Sequence, residues 1–201
     1  MIPSTVVLAS HNPGKLDELR ELLAGCGIQV RGQAEFGIGE IEETGLSFVE
    51  NALLKARHAA RISGLPALAD DSGLCVASLD GAPGLYSARY AGPDGDAQAN
   101  MAKLLQAMEA VPDERRQAHF HCSLVLLRHP RDPAPLVCEG RWHGHILRIP
   151  RGEGGFGYDP AFLDPVTQRS AAELTRREKA ARSHRGQALR QLMAALAAAS
   201  P

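Results

Sequence analysis

The chain opens with a strand, a loop, a helix and a second strand in quick succession, and this order restricts the fold more than any other feature. The first strand is the short β-branched run of residues 5–9, which breaks at residues 10–15. The helix that follows carries its leucines on one face, namely Leu16, Leu19, Leu22 and Leu23. Residues 28–30 predict the second strand. Such an opening is typical of an α/β fold.

The rest of the chain continues this alternation without an internal repeat or a linker, which predicts one domain over residues 1–201. Helices are predicted after Ser47, at residues 97–108, and after Thr175 and Ser183. Strands are predicted at residues 67–71, 74–77, 117–127, 135–138 and 141–149. We expect residues 74–77 to pair back onto 67–71, and Glu139-Gly140 to form a turn.

Charge and cysteine content exclude several classes of protein. Lys plus Arg is 22 against 23 Asp plus Glu, so no overall charge attracts nucleic acid or an acidic membrane. The four cysteines are isolated in sequence, which argues against a disulfide framework and a structural zinc site. No charged and apolar leader and no long apolar run is present. These features predict a soluble, cytoplasmic protein with no nucleic-acid or membrane partner.

Two adjacent acids, Asp70 and Asp71, follow the apolar run of residues 67–69 and precede Ser72-Gly73. Neighbouring carboxylates repel each other, so the fold must compensate them with a divalent cation, a basic side chain or backbone N–H groups. Successive residues of a strand point to opposite faces, so we expect one of the two acids to reach any given site. The alternative is an ordinary helix or turn start, where Asp and Ser are frequent.

Basic and polar residues elsewhere suit a phosphorylated ligand. The loop at residues 10–15 joins a strand to a helix, where backbone N–H groups and Lys15 attract phosphate. Asn51 and Lys55 share a helix face at i,i+4 spacing, and the alternative for them is an ordinary surface pair. For the loop, the alternative is a capped helix with a solvated lysine.

A second group of residues suits a nucleobase. Glycines flank the two aromatic residues in residues 154–160, which would give a ring face for stacking or would fill a core gap. Lys179, His184 and Arg185 are donors that need an acceptor-rich partner, or form a solvated basic face. The pairs His119/His121 and His143/His145 leave a zinc site open as an alternative, although no further ligand with matching spacing is present.

Together these segments resemble the inosine triphosphate pyrophosphatase family. Its members cleave ITP, dITP and XTP between the α- and β-phosphates with Mg2+, which keeps these non-canonical purines out of DNA and RNA. The resemblance runs in order along nearly the whole chain, through residues 10–15, 42–45, 50–56, 70–74, 81–89, 154–160, 172–174 and 179–186. It departs at Ser10-His11, where a Thr-Gly pair is common in the family.

The resemblance implies roles for individual residues. The triphosphate would be held by Ser10, His11, Asn12, Pro13, Gly14 and Lys15. Asp71 would be the catalytic base and an Mg2+ ligand, Glu42 the second metal ligand with Glu43 as its alternative, and Lys15 and Lys55 would offset phosphate charge. Ser72 would contact the substrate. The nucleoside pocket would be lined by Phe156, Gly157, Tyr158 and Asp159, with Lys179, His184 and Arg185 reading the base.

The resemblance also implies an architecture and an assembly. We expect an α/β fold with an elongated mixed central β-sheet flanked by helices, in two lobes with the active-site cleft between them. The family forms homodimers, and residues 81–89 are a candidate contact. Two alternatives remain: a Maf-like pyrophosphatase for another modified nucleotide, and a nucleotide-binding module that does not hydrolyse its ligand.

Overall fold

The computed structural model describes residues 3–10, 16, 19, 20, 23, 27–93 and 95–198. Within these residues one mixed sheet contains seven strands: β1 Thr5–Leu8, β2 Gln29–Gly32, β3 Ala67–Val76, β4 Gln117–Leu127, β5 Leu136–Ile146, β6 Phe162–Asp164 and β7 Arg169–Ser170. Their order is β2-β1-β3-β4-β5-β6-β7. Strand β1 runs parallel to β2 and β3, whereas β6 is antiparallel to β5 and β7. The predicted α/β class with a mixed central sheet is confirmed.

The helices follow the capping signals of the sequence. They are α1 Phe48–Ser63, α2 Ala97–Ala107, α3 Arg176–Arg182 and α4 His184–Ala198. Helix α1 begins where the Ser47 hydroxyl accepts from the Glu50 N–H, and it ends at Gly64, whose φ of 69° is left-handed. The predicted first helix is described at Leu16, Leu19, Arg20 and Leu23, all of them helical. No helix in the described ranges is long and apolar enough to cross a membrane.

The chain divides into two compact units. The first comprises residues up to 71, 122–139 and from 188 onward, and the second comprises residues 72–121 and 140–187. In the first unit β1 is buried on both faces, because Val6 and Leu8 pack with leucines of α4 while Val7 packs with alanines of α1. In the second unit Leu104 of α2 and Met108, which directly follows this helix, pack with the aromatic side chains of β4, β5 and β6.

Two predicted breaks in the sheet are wrong. Strand β3 does not stop at Asp71 but continues to Val76, with both acids buried inside it. It tolerates Asp71 because side chains of α1 donate to this carboxylate, as described below. Strand β5 likewise runs straight through Gly140, where a turn was expected. A Cβ there would lie 1.9 Å from the backbone oxygen of His184, so this glycine permits a close approach and does not mark a turn.

Candidate active site

Asp71 lies in the first unit beside a cationic and an acidic side chain. The Lys55 ammonium is 2.8 Å from Asp71 Oδ1 and 2.9 Å from Glu43 Oε1, and all three side chains are at least three-quarters buried. Burial raises the pKa of Asp71, and Glu43 and Asp70 add to this, although Lys55 acts to lower it. Burial acts to lower the pKa of Lys55, but the negative charges of Asp71, Asp70 and Glu43 outweigh burial, and the pKa is raised. Lys55 is therefore a permanent cation at neutral pH.

Asn51 lies one helical turn before Lys55 and contacts the same carboxylate. Its amide Nδ2 is 3.5 Å from Asp71 Oδ2, and its Oδ1 accepts a hydrogen bond from the Gly45 N–H at 2.8 Å. The helical spacing predicted for Asn51 and Lys55 thus brings both to Asp71, and the surface-pair alternative is wrong. The hydrogen bond from Gly45 belongs to the segment that carries Glu42 and Glu43.

The two acids of that segment differ in their surroundings. Glu43 contacts Lys55, whereas Glu42, which the resemblance makes the second metal ligand, is exposed. The Lys55 ammonium contacts two carboxylates, Asp71 and Glu43, and oxygen ligands with negative charge suit Mg2+. Within the described ranges no group of three or more His, Cys, Asp or Glu side chains is arranged to hold a metal ion by itself. Mg2+ needs only one or two carboxylates when phosphates and waters complete its shell.

Of the predicted triphosphate loop, Ser10 is described and lies two residues after the end of β1, half-buried. His11, Asn12, Pro13, Gly14 and Lys15 lie outside the described residues. Their assignment to the triphosphate stays a prediction.

The second unit brings the predicted nucleoside residues together. Lys179 pairs with the buried carboxylate of Asp159 and lies 4.8 Å from the centre of the Phe156 ring, which is 59% exposed. Asp159 also accepts the Phe156 N–H at 2.8 Å. Glycine at position 155 makes this possible, since a Cβ there would lie 2.0 Å from Asp159 Oδ2 and the φ is 73°. An exposed ring with a fixed cation above it provides a stacking surface edged by donors.

The remaining residues predicted to line the nucleoside pocket contact neighbouring elements. Tyr158 is buried and donates its hydroxyl to the Ser87 carbonyl at 2.8 Å, so it braces the segment after β3. Burial raises the pKa of this hydroxyl well above its usual range, so it remains a donor. Arg185, also buried, is 3.4 Å from the Ser72 hydroxyl. Gly157 adopts a φ of 62°, which the backbone turn between the two aromatics requires.

His184 is held by a contact that the sequence did not indicate. The Phe120 ring of β4 stacks on it with centroids 5.0 Å apart and planes 13° from parallel. Gly140 of β5 contacts the His184 backbone from the neighbouring strand, as described above. Phe120 and Gly140 are therefore residues of this region that sequence reasoning missed. The sequence predicted the strand that carries Phe120 but gave no sign of its contact with His184.

The histidine pairs of the zinc alternative lie in the same unit. His119 has His143 across the sheet at 5.5 Å and His121 on its own strand at 6.4 Å, measured between ring centroids. Burial lowers the pKa of His119, and the neighbouring His143, Arg141 and His121 add to this. These histidines are not arranged to hold a metal ion, and no other such group is present among the described residues, so the zinc alternative gains no support.

Comparison with known proteins assigns the chain to one family. The sequence pattern that defines the Ham1 family matches residues 6–195. The chain belongs to the Ham1 family. It is 60% identical over 191 residues to a protein of Escherichia coli O157:H7 named dITP/XTP pyrophosphatase, covering 95% of this chain and 97% of that protein. The predicted kinship with pyrophosphatases of non-canonical purine nucleotides is confirmed.

Solved structures of Ham1 proteins share the fold. A HAM1 protein from Coxiella burnetii superposes with a TM-score of 0.92 at 54% identity, covering 97% of this chain and 99% of that one. A protein from Mycobacterium abscessus named nucleoside-triphosphatase and dITP/XTP pyrophosphatase has a TM-score of 0.79 at 46% identity, covering 94% of this chain and 98% of its own. The chain therefore shares its fold with solved Ham1 proteins.

Proposed function

We propose that this Ham1 protein hydrolyses dITP, ITP and XTP to the monophosphate and pyrophosphate with Mg2+, as the names of its relatives indicate for dITP and XTP. The observation that carries the proposal is the contact of Asp71 with Lys55, which itself contacts Glu43. This cluster supplies a buried base, a fixed cation and oxygen ligands, which are the groups that attack at a phosphorus atom requires.

In this reaction a water oxygen bonds to the α-phosphorus, and the bridging P–O bond to the β-phosphate breaks. Asp71 would take the proton of the water, and its contact with Lys55 holds the carboxylate in place for this step. Lys55 offsets negative charge on the phosphate oxygens, together with Lys15. Mg2+, held by Asp71 and by Glu43 or Glu42, would neutralise phosphate charge and make bound water more acidic. Pyrophosphate leaves with the electron pair of the broken bond.

Base selection would fall to the residues of the second unit. Hypoxanthine and xanthine present a carbonyl acceptor at C6, where adenine presents an amino donor. Lys179 and Arg185 can only donate, so adenine would leave donors facing each other without an acceptor. Phe156 would stack on the base, with Asp159 fixing both Phe156 and Lys179. Ser72, Gly157, Tyr158 and His184 would complete the nucleoside contacts.

We further propose that the protein acts in the cytoplasm as a homodimer, with nucleotides and neither nucleic acid nor membranes as its partners. The balanced net charge of −1 supports the exclusion of polyanions. The 62% exposure of Tyr86, within residues 81–89, supports that segment as a dimer contact. Sedimentation at micromolar concentration should give the mass of two chains, and the mass of one chain would contradict the dimer.

The decisive experiment is a nucleotide panel with pyrophosphate detection, with and without Mg2+. We expect release from dITP, ITP and XTP, little from ATP or GTP, and none without the metal. Turnover restricted to another modified nucleotide would favour a Maf-like activity, and binding without turnover a non-hydrolysing module.

The same assay compares three variants of the acid cluster. Asp71→Asn should lose at least about a hundredfold in kcat, since general base catalysis contributes that much. Glu43→Gln should raise the Mg2+ concentration for half-maximal rate, and Glu42→Gln tests the alternative ligand one residue away. Full activity in folded Asp71→Asn would contradict the mechanism. A larger rise in the required Mg2+ concentration in Glu42→Gln than in Glu43→Gln would identify Glu42 as the second metal ligand.

A further inference from the structure

Asn51 is a buried polar residue that the sequence places on the same helix face as Lys55, but the proposed chemistry gives it no role. Its side chain lies on the first turn of α1 and is 1% exposed. A buried primary amide is costly unless its oxygen and nitrogen both find partners. Both atoms of the Asn51 amide have a partner: the Gly45 N–H donates to Oδ1, and Nδ2 donates to Asp71 Oδ2.

The first of these contacts fixes the second. An N–H can donate only to the amide oxygen, so the Gly45 N–H requires Oδ1 on its side. Nδ2 must therefore face Asp71, where an N–H is the group that a carboxylate accepts from. The orientation of the Asn51 amide is thus set by the backbone of the acidic segment.

Gly45 is matched to this arrangement. A Cβ at position 45 would lie 2.6 Å from Asn51 Oδ1 and 2.6 Å from Glu50 Cβ. Side-chain atoms cannot approach so closely, so any residue other than glycine would push the segment away from Asn51. The contact holds residue 45 two positions after Glu43, the acid that meets Lys55.

Helix α1 thereby provides a partner for each oxygen of Asp71. Lys55 lies at Oδ1 and Asn51 at Oδ2, and the two are i,i+4 neighbours on one face of the helix. A carboxylate held at both oxygens cannot rotate about its last torsion without losing a contact. A base held in this way stays in the geometry that proton abstraction requires.

We infer that Asn51 is a positioning residue for the reaction: it sets the orientation of the Asp71 carboxylate and holds the segment of residues 42–45 against α1. This inference rests on the proposed function, since it assigns Asn51 to the same reaction. Asn51 acts through Asp71 and Glu43 and does not itself touch the substrate.

Three variants separate the two contacts. Asn51→Asp keeps an oxygen for the Gly45 N–H but replaces the donor at Asp71 by a second oxygen. Gly45→Ala displaces the segment but leaves the Asn51 donor in place, and Asn51→Ala removes both contacts. Asn100→Ala is the matched control: Asn100 is 3% exposed in α2, accepts from the Ala91 N–H and donates to the Ala88 carbonyl. It is thus a buried asparagine that holds a loop, in the other unit.

The kinetic measurement is kcat and KM for dITP at saturating Mg2+, per folded molecule as determined by circular dichroism. We expect kcat to fall about a hundredfold in Asn51→Asp and about tenfold in Gly45→Ala, with KM changed by less than about threefold, because misplacing a reacting group by about 1 Å costs this much. Asn100→Ala should lose thermal stability and keep kcat within about twofold. If Asn51→Asp and Gly45→Ala keep kcat within twofold, or if Asn100→Ala loses as much, the inference is wrong.

Amide hydrogen exchange provides a readout independent of turnover. Residues 42–46 should exchange at least about tenfold faster than in the wild type in Asn51→Ala and Gly45→Ala, and at the wild-type rate in Asn51→Asp, which keeps the accepting oxygen. Unchanged exchange in all three variants would show that Asn51 does not hold the segment. A wild-type protein that releases no pyrophosphate from any nucleotide overturns the proposed function, whereas an active wild type with unaffected variants overturns only this inference.

Discussion

At the scale of single residues, polar groups with proposed roles are held by neighbours that carry no chemistry. His184 is 7% exposed and stacks on Phe120, which also packs against Trp142 and Phe162. The sequence predicted His184 as a site residue, because its neighbours in the chain form a distinctive motif. It could not predict Phe120 as the stacking partner, because a residue 64 positions away leaves no local pattern in the sequence.

Replacing Phe120 by leucine should weaken substrate binding. The stacking of two rings contributes about 0.5–1.5 kcal/mol beyond burial, so KM for dITP should rise about 2- to 12-fold with kcat little changed. Phe162→Leu is the control, since Phe162 contacts the Phe120 and Trp142 rings of the same cluster. It should lose comparable stability in a thermal melt and leave KM unchanged. Equal KM effects in both variants would mean that the cluster acts through general packing.

At the scale of elements, the sequence predicted those whose signals are local. The Ser47 and Thr175 caps, the full length of β4 and the span of α2 are confirmed, because capping and alternation are read within a few residues. The breaks in β3 and β5 were wrong, because acids and glycines are also the usual signals of turns. The partners of the Asp71 carboxylate on α1, Lys55 and Asn51, lie 16 and 20 positions earlier in the chain. Gly140 makes room for His184, which lies 44 positions later.

The turn between β6 and β7 depends on one buried carboxylate. Asp164 is 2% exposed and accepts from the Trp142 indole N–H at 3.3 Å and from the Thr167 hydroxyl at 2.8 Å. Burial acts to raise the pKa of Asp164, but hydrogen bonds from Thr167, Trp142 and the Val166 and Thr167 N–H groups outweigh it, so the pKa is lowered. A carboxyl with a lowered pKa stabilises the fold above its unfolded pKa of about 4, and loses that contribution as the pH falls through the folded pKa.

Asp164→Asn should therefore lower the free energy of unfolding at pH 7 by about 1–3 kcal/mol, since hydrogen bonds to a charged acceptor contribute that much. The difference from the wild type should shrink as the pH falls below about 4, where the wild-type carboxyl also becomes neutral. Urea unfolding at pH 7, 5 and 3, followed by circular dichroism, measures it. A difference that stays constant over this range would mean that the charge of Asp164 does not stabilise the turn.

At the scale of the whole molecule, four elements contribute to both compact units. Residues 67–71 of β3, 122–127 of β4, 136–139 of β5 and 188–198 of α4 belong to the first unit, and the remainder of each element to the second. Each hydrophobic cluster, in contrast, is confined to one unit. The sequence contained no linker and predicted a single domain, and two clusters of contacts joined by continuous strands remain compatible with that prediction. Strands that belong to both units couple their unfolding, because neither unit can lose its strands alone.

A single cooperative transition is therefore expected, and the chain contains a probe for each unit. Trp142 is the one tryptophan in the sequence and is buried in the second unit, whereas Cys122 and Cys138 are buried in the first. Indole fluorescence and alkylation of these two thiols, read by peptide mass spectrometry, should give the same midpoint in a guanidinium titration. Leu189→Ala, in the core of the first unit, should lower both midpoints together and cost about 2–5 kcal/mol. If only the thiol midpoint shifted, the units would unfold independently and the chain would comprise two domains.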